Sequence, residues 1–134
     1  MNHLLIAAVS AVVTLVLALL VLSVLRRKSN KRKYTERWQD LQRYCGSKET
    51  WPLAIITADK LLDEALRNHR IKGKSTGERL VAAQHKITDN DAVWYSHNLA
   101  KKLIAETTVR LNQADVKKSL VGFRQALKDL GVVV

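Results

Sequence analysis

The alternation of apolar and polar positions breaks sharply at Leu25. From Leu4 to Leu25 no residue is charged and no proline interrupts; Arg26, Arg27, Lys28, Lys31, Arg32 and Lys33 follow at once. At about 1.5 Å rise per residue the run spans roughly 33 Å, enough for a hydrocarbon core of about 30 Å. Its only polar side chains are Ser10, Thr14 and Ser23, whose hydroxyls can bond back to the helix's own carbonyls. The pattern predicts one transmembrane helix over 4–25. Basic residues stay on the cytoplasmic side of a span. Residues 1–3 are therefore expected outside, and everything from Arg26 onward in the cytoplasm. A cleaved secretory signal fits poorly: Met1-Asn2-His3 has no Lys or Arg, and no small-residue cleavage site precedes the basic cluster. A buried core helix fits no better, because about 100 further residues cannot enclose a run apolar on every side.

Beyond the basic block the apolar spacing is helical nearly everywhere. Trp38, Leu41 and Tyr44 share one face, so the membrane helix continues, or restarts, through Cys45, with Ser29-Asn30 a short hinge at most and Gly46 as the stop. The next helix has Thr50 as cap and Pro52 in its first turn, where a missing N–H costs nothing. Its stripe is Trp51, Ile55, Ala58, Leu62, Ala65 and Leu66, and it stops near His69. Ser75-Thr76-Gly77-Glu78 reads as a capping box opening a short helix with Leu80, Val81 and Ala83. Thr88-Asp89-Asn90-Asp91 starts another, with the stripe Val93, Trp94, His97, Ala100, Leu103 and Ile104. Asn112, with Asp115 three residues on, starts the last; its apolar set is Val116, Leu120, Phe123, Leu127 and Leu130, and Gly131 stops it. No convincing strand appears, and 132–134 is too short to count. The fold class is all-α: one N-terminal transmembrane helix, a basic juxtamembrane segment over 26–35, and a compact bundle of four to five helices over 36–134.

The formal charge of +11 changes meaning once it is divided. Residues 26–33 hold six positive charges and no acid, leaving 17 Lys+Arg against 12 Asp+Glu from Tyr34 to Val134, a net +5. Topology and attraction to anionic lipid, about 1 kcal/mol per basic residue near the surface, explain the block. Headgroup contact is accordingly assigned to Arg26, Arg27, Lys28, Lys31, Arg32 and Lys33. The remaining charge permits RNA binding and does not demand it. The single Cys45 excludes an internal disulfide and fits a reducing compartment.

Candidate chemistry is sparse. Gly73-Lys74-Ser75 is a fragment of a phosphate loop, but the signature needs a glycine at position 68, where Asn68 stands, and a preceding strand. His69, His85 and His97 have no metal-ligand spacing, so no metal and no cofactor is expected. His97 lies on an apolar helix face beside Trp94, as a packed histidine bonded to a neighbouring element would. Trp38, Trp51 and Trp94 read as core or membrane-interface anchors rather than base-stacking platforms. Lys101, Lys102, Lys117, Lys118 and Arg124 are able to line a phosphate surface, with a solvated helix face as the favoured alternative.

Several segments resemble a known group. Trp51 to Leu66 reads W-x-L-A-I-I-x-A-D-x-x-L-D-x-x-L; Gly73 with Thr76-Gly77-Glu78-Arg79-Leu80, Trp94-Tyr95-Ser96-His97, and Ala126-Leu127-Lys128-Asp129-Leu130-Gly131 follow in register. These resemble segments of small, uncharacterised, membrane-anchored bacterial proteins, over about residues 36 to 134 of this chain. That group continues after W-x-A-H with K-x-R-N-x-x-x-H, a pattern similar to the signature of HEPN domains. HEPN domains are small helical bundles that often dimerise, and many are metal-independent ribonucleases whose motif arginine and histidine serve cleavage at the dimer interface. Here the arginine position is Ala100, the asparagine position Lys101 and the histidine position Ala105, with Glu106 retained. Sliding the alignment by one puts Lys101 and Glu106 at the arginine and histidine positions, which does not restore the pair. Alanine neither transfers a proton nor stabilises a phosphorane. The chain thus resembles a degenerate member, or a form from which the motif has been removed.

The resemblance implies a bacterial cytoplasmic-membrane protein, single-pass, with the helical domain on the inner face. The expected function is a non-catalytic interaction module, not an enzyme, that pairs with a second copy or another protein. Its binding surface is drawn from His97, Lys101, Lys102, Glu106, Lys117 and Lys118. The alternatives are RNA or nucleotide binding without cleavage, or residual ribonuclease action through His97, Lys101 and Glu106.

Overall fold

A computed structural model describes residues 1–133. It has five α-helices and two 3-10 turns, with no strand among the described residues. The first helix, α1 (Asn2–Gln42), runs unbroken for 41 residues, about 61 Å at helical rise. An 18-residue window of it has mean hydropathy 3.0 and none of that window is buried, so α1 is long and apolar enough to cross a membrane and is no core helix. Ser10, Thr14 and Ser23 donate their hydroxyls to the carbonyls of Ala7, Ser10 and Leu20 at 2.8–2.9 Å.

Of the two readings, a helix that continues or one that restarts, the first holds: Ser29 and Asn30 are both helical and form no hinge. Serine and asparagine cost a helix only a few tenths of a kcal/mol each, and Arg32 Nε bonds Glu36 Oε1 at 2.9 Å one turn later. The helix passes straight through the basic block into the bundle. Tyr34, Trp38 and Leu41, spaced i, i+4 and i+7, are buried there.

The chain then winds through 3-10 turns at Arg43–Gly46 and Lys48–Thr50, separated by an extended Ser47. Thr50 precedes α2 (Trp51–Asn68) but does not cap it. The 3-10 turn feeds directly into α2, and the Thr50 hydroxyl donates instead to the carbonyls of Tyr44 and Ser47. α2 is the central helix and packs against α1, α4 and α5. Ala54, Ile55, Ala58, Leu61, Leu62, Ala65 and Leu66 are all buried.

Two helices end in the same way. After α2, Ile71 N–H bonds Leu66 O and Arg70 N–H bonds Arg67 O, with Arg70 left-handed at φ 57. After α5 (Gln113–Asp129), Val132 N–H bonds Leu127 O and Gly131 N–H bonds Lys128 O, with Gly131 at φ 73. Both are Schellman ends, which satisfy otherwise orphaned carbonyls. Gly131 is the stop expected from the sequence.

α3 (Thr76–Ala82) is capped by Ser75, whose Oγ accepts from Glu78 N–H at 3.2 Å. Glu78 reaches back one residue further than a capping box requires, to Lys74 N–H at 2.7 Å. Leu80 and Ala83 are buried, whereas Val81 faces out. α4 (Asn90–Ala105) is capped by Asp89, and α5 carries the full box between Asn112 and Asp115. Val93, His97 and Ala100 of the expected α4 stripe are buried; Ile104, in the last turn, is exposed.

α4 and α5 run antiparallel and cross at Gly122. A Cβ built there would lie 2.7 Å from Ala92 O and closer still to Ser96 Oγ. The small side chains let Ser96 Oγ bond Ser119 O across the helices at 2.9 Å. Gly122→Ala should therefore lower unfolding stability by about 1–3 kcal/mol, the usual cost of overpacking. Gly46→Ala, where a Cβ meets nothing within 4 Å, should stay within about 0.5 kcal/mol of the parent. Urea unfolding of the full chain in micelles, followed by circular dichroism, checks both.

Candidate functional site

α2 carries two acids one turn apart, Asp59 and Asp63, which therefore share a face. Asp59 Oδ1 lies 2.8 Å from His97 Nδ1 of α4, and both residues are buried. An ionised carboxylate only accepts, so Nδ1 carries the proton in this bond. Trp94 meets the imidazole edge-on, with ring centroids 5.8 Å apart. Gly77, at the start of α3, covers the other side: a Cβ there would sit 3.8 Å from His97 Nε2 and 3.6 Å from Trp94.

Asp63 binds α3. Its Oδ1 accepts from Arg79 Nε at 2.8 Å and from the Thr76 hydroxyl at 2.9 Å, while Arg67 Nε lies 3.1 Å from Oδ2. Arg79 also donates to Gly73 O. A Cβ on Gly73 would come within 2.8 Å of Arg79 N, so only glycine fits beside that strap. Burial pushes the Asp63 carboxyl up, but the bonds from Arg79 and Thr76 and the charges of Arg79 and Arg67 outweigh it. The net effect holds the group below the usual carboxylate range.

A carboxylate-oriented imidazole is half of an acid–base dyad. Ser96, next to it in sequence, donates instead to the carbonyls of Ala92 and Ser119. Cys45 lies elsewhere in the fold, in a groove described below, and burial raises its thiol. Asp59–His97 joins α2 to α4 and Asp63–Arg79 joins α2 to α3; both are internal ties. His97 is thus removed from the expected binding surface, because its ring is enclosed by Asp59, Trp94 and Gly77. Among the described residues no three His, Cys, Asp or Glu side chains converge as metal ligands.

The remaining expected surface is divided. Lys118 Nζ lies 4.0 Å over the Tyr95 ring, whose hydroxyl faces Asp115 at 3.3 Å. Lys117 opens on a different side, into a groove beside α1. Lys101 and Lys102 are exposed on α4, and Glu106 is exposed just past its end. Of the two alanines at motif positions, Ala105 is exposed, while Ala100 has no exposed area and sits in the core. An arginine at 100 would bury an unpaired charge.

Two concave surfaces emerge that no local pattern announced. An apolar groove of about 650 Å³ lies between the end of α1, the 3-10 turns and α5, with Trp38, Cys45, Trp51, Val116, Leu120 and Val121 in its walls. A cleft of about 690 Å³ lies at the other end of the packed part of α1, lined by Arg27, Lys28, Lys31, Asn68, His69 and Leu130 among others. The tryptophans were the only sequence signal for the groove. Comparison of the chain with family models, curated proteins and solved structures finds no match.

If Asp59 and His97 act as one tie, their alanine variants should be non-additive. A double-mutant cycle should give a coupling of about 0.5–3 kcal/mol, measured by urea unfolding; zero coupling would show that the pair contributes nothing jointly. Asp63 predicts a pH dependence. Its folded pKa is depressed, so its stabilising contribution is fully present above the unfolded value of about 3.9. It is lost as pH falls through the folded value. Asp63→Asn should be less stable at pH 7 and should show a flatter loss of thermal midpoint below about pH 4.

Proposed function

We propose that the chain is a single-pass membrane protein whose helical bundle serves as a non-catalytic interaction module. In this reading α1 spans the bacterial cytoplasmic membrane with its N-terminus outside and the HEPN-like bundle on the inner face, where the basic block meets anionic lipid. Pairing is with a second copy, or with another protein. The observation that carries the proposal is the apolar groove lined by Trp38, Trp51, Val116, Leu120 and Val121. Of the large apolar side chains exposed beyond α1 (Leu53, Val81, Ile104 and Val121), Val121 borders that groove. Copies held in one membrane share orientation and a high local concentration, which favours pairing through such a surface.

Two alternatives draw less support. Phosphate contact through Lys101, Lys102, Lys117 and Lys118 needs one continuous surface, and Lys117 and Lys118 open on different sides. Ribonuclease action through His97, Lys101 and Glu106 needs an accessible imidazole, and that of His97 is buried on Asp59.

Light scattering of the full chain in micelles should give a protein mass of two chains. Val121→Asp should shift it to one chain with unchanged helicity. A strictly monomeric parent at high concentration would sink self-pairing. No metal-independent cleavage of mixed RNA above a His97→Ala control is expected, and cleavage that depends on His97 would overturn the non-catalytic reading.

A further inference from the structure

We propose that the cleft between the basic stretch of α1 and the ends of α2 and α5 is a built site for the phosphate of an anionic lipid headgroup. The inference rests on the reading that α1 spans a bilayer and sharpens it from a general basic patch to one site.

Charge balance singles the cleft out. Arg27, Lys28 and Lys31 line it, and no acid does. The neighbouring cleft of about 370 Å³ has Lys33 and Arg37 facing Glu36, Asp40 and Glu64. There Arg37 pairs with Glu64 at 2.6 Å, and Arg32 bonds Glu36 at 2.9 Å. The two clefts are divided by the hydrogen bond from Asn68 Nδ2 to the Tyr34 hydroxyl at 2.6 Å, since both residues line each. Arg27, Lys28 and Lys31 therefore lie on the acid-free side of that bond, and Lys33 on the side that carries the acids.

The helix ends oppose an anion, and magnitude decides. α2 and α5 point their C-termini at the cleft through Asn68, His69, Leu130 and Gly131. Each end carries roughly half a negative charge, so the two together offset about one of the three cationic side chains. Their Schellman bonds already occupy carbonyls of Leu66, Arg67, Leu127 and Lys128. About two positive charges remain for a ligand by the same count. The Arg27 guanidinium offers a planar fork suited to phosphate oxygens.

Depth and shape fit as well. Arg27 to Lys31 follow the last apolar residue, Leu25, by two to six positions, about 3–9 Å along the helix. The polar layer on each side of a bilayer is about 5–8 Å thick. Leu130 and Val132, both buried, add apolar wall where a glycerol backbone would enter. The cleft volume of about 690 Å³ lies within the roughly 300–1,000 Å³ typical of ligand sites.

The test separates a site from a film of lipid. The full chain is reconstituted in nanodiscs of phosphatidylcholine, with and without a minor share of phosphatidylglycerol as the anionic lipid. Two variants remove the same charge: Arg27→Gln with Lys31→Gln inside the cleft, and Arg26→Gln with Lys33→Gln outside it. The parent should melt higher in the anionic discs and retain phosphatidylglycerol in native mass spectrometry. The cleft variant should lose both properties; the outer variant, which removes two general headgroup contacts of the block, should lose only part of the melting shift and keep the retained phosphatidylglycerol, with helicity equal in all three. Equal loss in both variants, or no effect of phosphatidylglycerol on the parent, would overturn the site. So would inorganic phosphate reproducing the full shift in phosphatidylcholine discs, since the source would then be free phosphate. Extraction of the parent from membranes by alkaline carbonate would overturn the spanning reading itself. Retention with no difference between the variants overturns the site alone.

Discussion

Everything else in the fold depends on Tyr34, Trp38 and Leu41, through which the long apolar helix is joined to the bundle. The same α1 that is fully exposed along its apolar run buries these three side chains in the bundle. Burying a large apolar side chain contributes about 1.5–3 kcal/mol, so the three form a large share of the roughly 5–15 kcal/mol that stabilises a domain. The Trp38 Nε1 is buried without a partner, at a cost of about 1–3 kcal/mol. Its ring offsets that, because burying about 150–250 Å² is worth about 4–6 kcal/mol. The bundle therefore does not hang from a linker. Its faces have fixed directions relative to the apolar run.

Polar ties then set how the other helices sit on α2. Asp59 holds α4 through His97, and Asp63 holds α3 through Arg79 and Thr76. Buried ionic and polar contacts of this kind contribute little net stability against a well-packed apolar alternative. What they do here is choose an arrangement: each acid has one partner helix within reach. The segments that looked most like a functional signature are the parts of these ties. Gly73 makes room for the Arg79 strap, Gly77 lies against the His97–Trp94 pair, and Leu80 fills the core. Their residue types follow from packing before any chemistry is asked of them.

What the sequence made legible was local. The apolar run, the caps at Ser75, Asp89 and Asn112, and the left-handed stop at Gly131 follow from rules that act within one helical turn. The misreadings came where a distant or irregular element intervened. Thr50 lost its capping role to a 3-10 turn; His97 is the packed histidine bonded to a neighbouring element that its helix face indicated, but its place on the binding surface is lost because Asp59, 38 positions away, claims its ring. Val81 and Ile104 fit the apolar spacing but have no partner helix beside them, and both are exposed. The separation of Lys117 from Lys118 follows from the helix itself, since successive residues lie about 100° apart. The basic cleft joins Arg27, Asn68 and Leu130, which no periodicity links.

The two concave surfaces are ordered along α1, and that order limits what each can meet. The cleft lies beside Arg27 to Lys31, next to the apolar run, and the groove lies beside Trp38 and Gln42. Trp38 is 13 residues past Leu25, about 20 Å along the axis. If α1 spans a bilayer as proposed, near its normal, a polar layer of about 5–8 Å would cover the cleft and leave the groove clear by roughly 10 Å. On the proposed reading, a lipid at the cleft and a protein at the groove would occupy separate surfaces. Ion pairs such as Arg32–Glu36 and Arg37–Glu64 are exposed and add little stability. Their consequence is electrostatic: they quench the helix just beyond the cleft and leave the positive field at the end beside the apolar run. The groove presents tryptophan, leucine and valine with Lys117 at its wall, and the cleft beside the apolar run presents three cations with no acid among its lining residues.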